Sequence, residues 1–292
     1  MGPFQTVARV LAWAPLLLCA CGLQAPAVGE PLPDVPGVAE ATYVLRLRHT
    51  DLRPVHVLFP SDTGGHALPA EGGGRRPALV FIQGGAVKTQ GYRWLAEALA
   101  RQGYVVALPE HAADLAFFEI DNGREARALL VDPPAGSVLD GVVEPERIAV
   151  AGHSLGGVVA GKLALSGGFH ALAFLASFPD SADDAGMATL GMPSLFLAGR
   201  LDCSAKLSQV QEGAAKPPSP TALVVLDGVT HYEFTGDATP DLKGCPPALP
   251  LDAAHERISR ALRVFLDAAL SPAGGTGAEG LGQVEGAEVT AR

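Results

Sequence analysis

The stretch from Arg147 to Gly161, RIAVAGHSLGGVVAG, constrains this 292-residue chain more than any other. Ile148-Ala149-Val150-Ala151 is an apolar run with the length and branching of a buried strand. Gly152-His153-Ser154-Leu155-Gly156-Gly157 follows without a linker, and then a helical pattern begins. A G-x-S-x-G between strand and helix makes a turn so tight that the serine takes a strained backbone conformation. Glycines flank it because a Cβ there would collide with a neighbouring strand or helix. The turn lifts the Ser154 hydroxyl clear of the sheet as a candidate nucleophile. It also sets the N–H of Leu155 at a helix N-terminus, where amide donors and the helix dipole favour a developing negative charge.

Around this turn, strands alternate with helices. Thr42–Arg48 and Val55–Phe59 read as an antiparallel hairpin at a sheet edge. Ala78–Ile82 is a fully apolar strand, Tyr92–Arg101 has helical spacing, and Tyr104–Leu108 is the next strand. A helix is expected from Gly123 to Val131, and another from Ser154 to about Ser166. Further strands are Ala171–Phe178, Ser194–Ala198 and Ala222–Leu226, and a last helix spans about Leu251 to Leu270. Strands apolar on both faces and separated by helices imply a mostly parallel sheet covered on both sides, an α/β architecture. The segment between Phe178 and Ser194 is too short for a sizeable cap domain, so an open pocket is expected. Residues 41–270 form the expected domain, residues 22–40 a flexible tether, and the Gly/Ala-rich residues 271–292 a disordered tail.

A serine hydroxyl needs a base to take its proton and an acid to orient that base. The strand ending in Ala198-Gly199-Arg200-Leu201 delivers Asp202 at its carboxyl end, and the strand before Asp227-Gly228-Val229-Thr230 leads to His231. Both lie at the edge where such a sheet collects its site residues. His170 is the only other histidine between Ser154 and the final helix. Asp180, Asp183 and Asp184 compete for the role of Asp202, whereas Asp227 reads as a turn residue. After the strand Ala78–Ile82, Gln83-Gly84-Gly85 offers the N–H of Gly85 as a second oxyanion donor, with Ala86 as the alternative.

With GYRWLAEALARQGYVVALPEH and PERIAVAGHSLGG in view, the chain from about Ala78 to Leu270 resembles the α/β-hydrolase superfamily, whose order is serine, acid, histidine. It is similar to the dienelactone-hydrolase-like, chlorophyllase-like and platelet-activating-factor acetylhydrolase-like branches. It departs from true dienelactone hydrolases in carrying Ser154 where those have cysteine, and it lacks the oxyanion-loop histidine of many relatives. Pro109-Glu110-His111 resembles the segment of the acetylhydrolase-like branch in which a histidine follows the equivalent strand, and His111 reads as structural rather than catalytic. The resemblance implies the α/β-hydrolase fold and a serine hydrolase acting on small-molecule or lipid carboxylic esters. A serine peptidase or amidase is the alternative with the same triad, and a surface lipoprotein binding module the alternative without catalysis. No cofactor is implied, and no metal-ligand spacing is present.

The N-terminus reads as an export signal over residues 1–21. Arg9 precedes an apolar stretch from Val10 to Ala20 that is short for a membrane span and contains Pro15. Leu18-Cys19-Ala20-Cys21-Gly22 resembles the lipobox of bacterial lipoproteins, which implies lipidation of Cys21 and attachment to the cell envelope. Cleavage after Ala25-Pro26-Ala27 would instead release a secreted or periplasmic protein. Either event leaves Cys203 and Cys245, expected to form one disulfide in an oxidising compartment, with two free thiols as the alternative. The formal net charge is −10 and there is no Lys/Arg cluster, which argues against nucleic acid as a partner.

Overall fold

The structure is a computed structural model, and it describes residues 37–47, 51–112, 120–218, 220–236, 245–246 and 248–292. An edge hairpin, β1 (Val38–Leu47) and β2 (Asp51–Pro60), leads into β3 (Arg76–Ile82) and β4 (Val105–Pro109), which are joined by α1 (Arg93–Arg101). Helix α2 (Ile120–Val131) precedes β5 (Val143–His153), and α3 (Leu155–Ser166) follows it directly. Then come β6 (Ala171–Leu175), the short α4 (Asp184–Met187), β7 (Ser194–Gly199), α5 (Leu207–Ala214) and β8 (Thr221–Leu226). Helix α6 (Leu251–Ala269), the short α7 (Ala278–Leu281) and β9 (Ala287–Ala291) close the chain. The sheet order is β1-β2-β4-β3-β5-β6-β7-β8-β9. The strands from β4 to β8 are parallel to one another, while β1, β2 and β9 run antiparallel to their neighbours. This is the α/β architecture expected from the alternation of apolar strands and helices, and the α/β-hydrolase fold that the resemblance implies.

Successive strand residues point to opposite faces, so a strand buried on both sides must be apolar throughout. Leu79 and Phe81 of β3, Ala149 and Ala151 of β5, and Leu195 and Leu197 of β7 pack with α1 and α6. Their alternates Ala78, Val80 and Ile82, Ile148 and Val150, and Phe196 and Ala198 pack with α2, α3 and α5. The segment between β6 and β7 holds one 3-10 turn and α4 and no larger insertion.

Two expectations are corrected at the ends of the domain. Strand β1 starts at Val38, inside the stretch expected to be a tether, because Val38 is buried and pairs with Pro60 on β2. The tail expected to be disordered is structured. Its strand β9 runs along the outer edge of β8, with Ala222 opposite Ala291 and Leu226 opposite Ala287. Leu281 and Val284 are buried with α6, and the Arg292 guanidinium donates to the carbonyls of Ala214 and Pro217. Gly/Ala-rich composition signalled little side-chain burial, but β8 has an edge of unpaired backbone groups, and that edge holds the tail. The segment read as an export signal, including Cys21, lies outside the described residues. The amides of Glu288 and Thr290, which face β8 in this register, should be protected in native-state hydrogen exchange; exchange of these two at random-coil rates would contradict the pairing.

Candidate active site

Ser154 alone makes the turn between β5 and α3, with φ 53° and ψ −124°. Such a conformation costs on the order of 1–3 kcal/mol in a residue with a Cβ, so its surroundings must hold it. The Ser154 N–H donates to the carbonyl of Leu175 (3.0 Å), and its own carbonyl accepts from Gly157 N–H (2.9 Å) and Ser177 Oγ (2.6 Å). The flanking glycines are required by close backbone approach. A Cβ on Gly152 would stand 2.1 Å from the Gly156 oxygen, and one on Gly156 would stand 2.3 Å from the carbonyl oxygens of Ile82 and Gln83.

His231 comes from the loop after β8, three strands away from β5, a span of about 14 Å at ~4.8 Å per strand. The loop covers that distance by folding back over the end of β7. Arg200 N–H donates to the Leu226 carbonyl (2.9 Å) and Leu201 N–H to that of Val229 (3.0 Å). The crossing is so close that a Cβ on Gly199 would stand 2.3 Å from the Val229 oxygen. Buried Glu233 then pins the turn, accepting from both the N–H (2.7 Å) and the hydroxyl of Thr230.

The structure thereby brings together the three residues read from the strand ends. His231 Nε2 lies 3.0 Å from Ser154 Oγ, and His231 Nδ1 lies 2.8 Å from Asp202 Oδ2. Asp202 is fully buried at its side chain, and its other oxygen accepts from the N–H groups of Ser204 and Ala205, each at 2.8 Å. An ionised carboxylate only accepts, so Nδ1 of a neutral His231 carries the proton and Nε2 faces the serine as an acceptor. That arrangement can draw a proton from Ser154. The competing carboxylates are engaged elsewhere: Asp180 and Asp183 with Lys162 (3.2 and 2.7 Å), Asp184 with Lys216 (2.5 Å), and Asp227 with Arg200. His170 faces Glu146 and His111 faces Asn122.

Strand β3 pairs with β5 with Ile82 opposite Gly152, which carries Gln83-Gly84-Gly85 to the elbow. Gly85 lies against Leu155, since a Cβ there would stand 2.5 Å from Leu155 Cδ1. Among the described residues, no hydrogen bond engages the N–H of Gly85, Ala86 or Leu155. Ala86 has φ 58°, so the turn at this loop is also strained. Cys203 and Cys245 form a disulfide with a Cα–Cα distance of 5.7 Å, which ties the Asp202 loop to the segment after His231.

Sequence reasoning passed over Ser177, Gly199 and Glu233. It also passed over His153 and Tyr92, which are completely buried, His153 with its ring beside that of His231. Of these, only Glu233 had a signal, the T-x-x-E spacing from Thr230 that marks a reciprocally capped turn. No group of three or more His, Cys, Asp or Glu side chains among the described residues could hold a metal ion.

Comparison with protein families matches residues 78–243 to the alpha/beta hydrolase family. No curated protein matches the chain.

The disulfide closes a 42-residue separation, which the chain-entropy model rates at about 4 kcal/mol. Reducing it should lower the thermal midpoint and the hydrolytic rate together; an unchanged rate in reductant would deny it a positional role. Burial, and then the neighbouring His231, hold the His153 pKa well below its ordinary value of 6.5. The unfolded chain therefore takes up a proton below pH ~6.5 that the folded one refuses, and stability falls as pH drops. Thermal midpoints should decline from pH 7 to 5 more steeply in the wild type than in His153→Gln; equal slopes would contradict a neutral His153.

Proposed function

The chain belongs to the alpha/beta hydrolase family, and from that premise we propose that it is an exported serine hydrolase cleaving carboxylic esters. The observation that carries this reading is the continuous chain Ser154 Oγ to His231 Nε2 (3.0 Å) and His231 Nδ1 to Asp202 Oδ2 (2.8 Å). Ser154 gives its proton to His231 as its oxygen attacks the ester carbonyl, and buried Asp202 stabilises the imidazolium that results. The carbonyl oxygen takes the negative charge and is met by the N–H groups of Leu155 and Gly85, which no hydrogen bond among the described residues occupies. Ala86 is the alternative to Gly85. His231 then protonates the leaving alcohol, and water, deprotonated by the same base, releases the acid from the acyl-enzyme.

Several features support an ester with an apolar part. Asp202 and His231 are buried, whereas Ser154 is partly open and the adjacent Leu155 side chain is 41% exposed, giving an apolar surface beside the nucleophile. A small-molecule or lipid ester suits that surface. Export is inferred from the segment at residues 1–21 and agrees with the disulfide, a bond of oxidising compartments. On this reading the protein is lipidated at Cys21 and held at the bacterial cell envelope, or cleaved and released. Among the described residues no helix is long and apolar enough to cross a membrane.

Hydrolysis of short and long p-nitrophenyl esters should be abolished in Ser154→Ala and should fall by about 10³- to 10⁴-fold in Asp202→Asn, which leaves the histidine in the wrong tautomer. The matching p-nitroanilides should be much slower substrates. Faster cleavage of the anilides would favour a peptidase or amidase, and a well-folded wild type inert to both would favour a binding module.

A further inference from the structure

His153, the unspecified second residue of the G-x-S-x-G turn, carries a hydrogen-bond chain that the triad itself does not use. Its ring is completely buried, stacked at 5.6 Å on Phe234 and 4.6 Å from the His231 ring centroid. Nε2 lies 3.2 Å from the backbone carbonyl of His231, and Nδ1 lies 2.8 Å from Tyr92 Oη. The same Tyr92 oxygen accepts the N–H of Gly84 at 2.8 Å.

The direction of every proton in this chain follows from the partners. A carbonyl can only accept, so Nε2 of His153 must carry a proton. A neutral imidazole has just one N–H, so Nδ1 is bare and accepts the Tyr92 hydroxyl proton. The ring is neutral because burial, and then His231, hold its pKa well below the ordinary range. The chain therefore runs from Gly84 N–H to Tyr92, from Tyr92 O–H to His153 Nδ1, and from His153 Nε2–H to the His231 carbonyl. One end grips the loop that carries Gly85, and the other grips the backbone of the base.

We propose that Tyr92 and His153 are positioning residues that hold the base loop and the oxyanion loop in register across Ser154. The proposal rests on the serine-hydrolase reading given above and deepens it. His231 reaches the serine from a loop that crosses the sheet edge, and the oxyanion donor comes from a separate loop after β3; no strand pairs the two. Their shared buried anchor is the Tyr92–His153 pair. The pair also explains Gly84, where a Cβ would stand 2.8 Å from both His153 Nδ1 and Tyr92 Oη. Neutrality serves the reaction too, because a cation 4.6 Å from His231 would oppose the imidazolium that forms there.

The test is ester turnover in Tyr92→Phe, His153→Phe, the double variant and His153→Gln, each with its thermal midpoint. Tyr92→Phe keeps the ring packed 4.9 Å from Phe81 and removes only the relay oxygen. Its kcat should fall by about 10- to 100-fold with KM within about twofold, since the interaction acts on the reacting geometry. The double variant should lose no more kcat than the worse single one, as expected of members of one chain. His153→Gln, which can still donate to the His231 carbonyl, should recover part of the loss in His153→Phe. Losses in kcat that multiply, or a Tyr92→Phe with wild-type kcat, would overturn the proposal while leaving the triad intact. Variants whose thermal midpoints fall while kcat per folded molecule stays at the wild-type level would assign the pair a structural role only and would also overturn it. A wild type that turns over no ester overturns this proposal together with the reading it rests on.

Discussion

Everything at the functional edge of this protein depends on the close backbone contact between the Ser154 turn and the end of β3. Gly156 leaves no room for a Cβ between itself and the carbonyl oxygens of Ile82 and Gln83. That contact holds a serine at positive φ, aims its hydroxyl out of the sheet, and places the loop Gln83-Gly84-Gly85 beside the first amide of α3. The strain, of order 1–3 kcal/mol, is stored where it is offset by two buried cores on either face of the sheet. On the proposed reading, the nucleophile and the amide donors for its tetrahedral intermediate thus come from one packing constraint.

The other half of the site solves a problem of distance. The parallel order of β5, β6, β7 and β8 leaves two strands between Ser154 and the strand that precedes His231. A surface loop left free would rarely hold His231 within hydrogen-bonding reach of Ser154, because ordering each residue costs about 1–2 kcal/mol. The loop is therefore tied at several points: to β7 through Val229, to Glu233 through Thr230, to Asp202 through the imidazole, and to His153 through the backbone carbonyl. The Cys203–Cys245 bridge closes the same region covalently.

What could be read from sequence alone was what depends on local pattern. The apolar strands, the helix α3 and the Ser154 turn announce themselves through period and glycine spacing, and the strand ends at Gly199 and Leu226 lead to Asp202 and His231. Contacts between distant segments left no such trace. Tyr92 reads as an ordinary apolar position at a helix start, His153 fills a place where the turn tolerates almost any side chain, and Gly199 looks like the ordinary end of a strand. Each owes its role to a partner many residues away. The tail misled for a related reason: Ala287–Ala291 has weak strand character of its own, and it is the exposed edge of β8 that makes it a strand.

The central claim is that Ser154 is a nucleophile activated by His231 and Asp202. Incubating the folded protein with a fluorophosphonate and mapping the adduct by peptide mass spectrometry tests it most directly. The account predicts stoichiometric phosphonylation of Ser154, absent in Ser154→Ala and absent when the protein is unfolded in acid before the reagent is added. An unmodified folded protein, or an adduct on another residue, would contradict it.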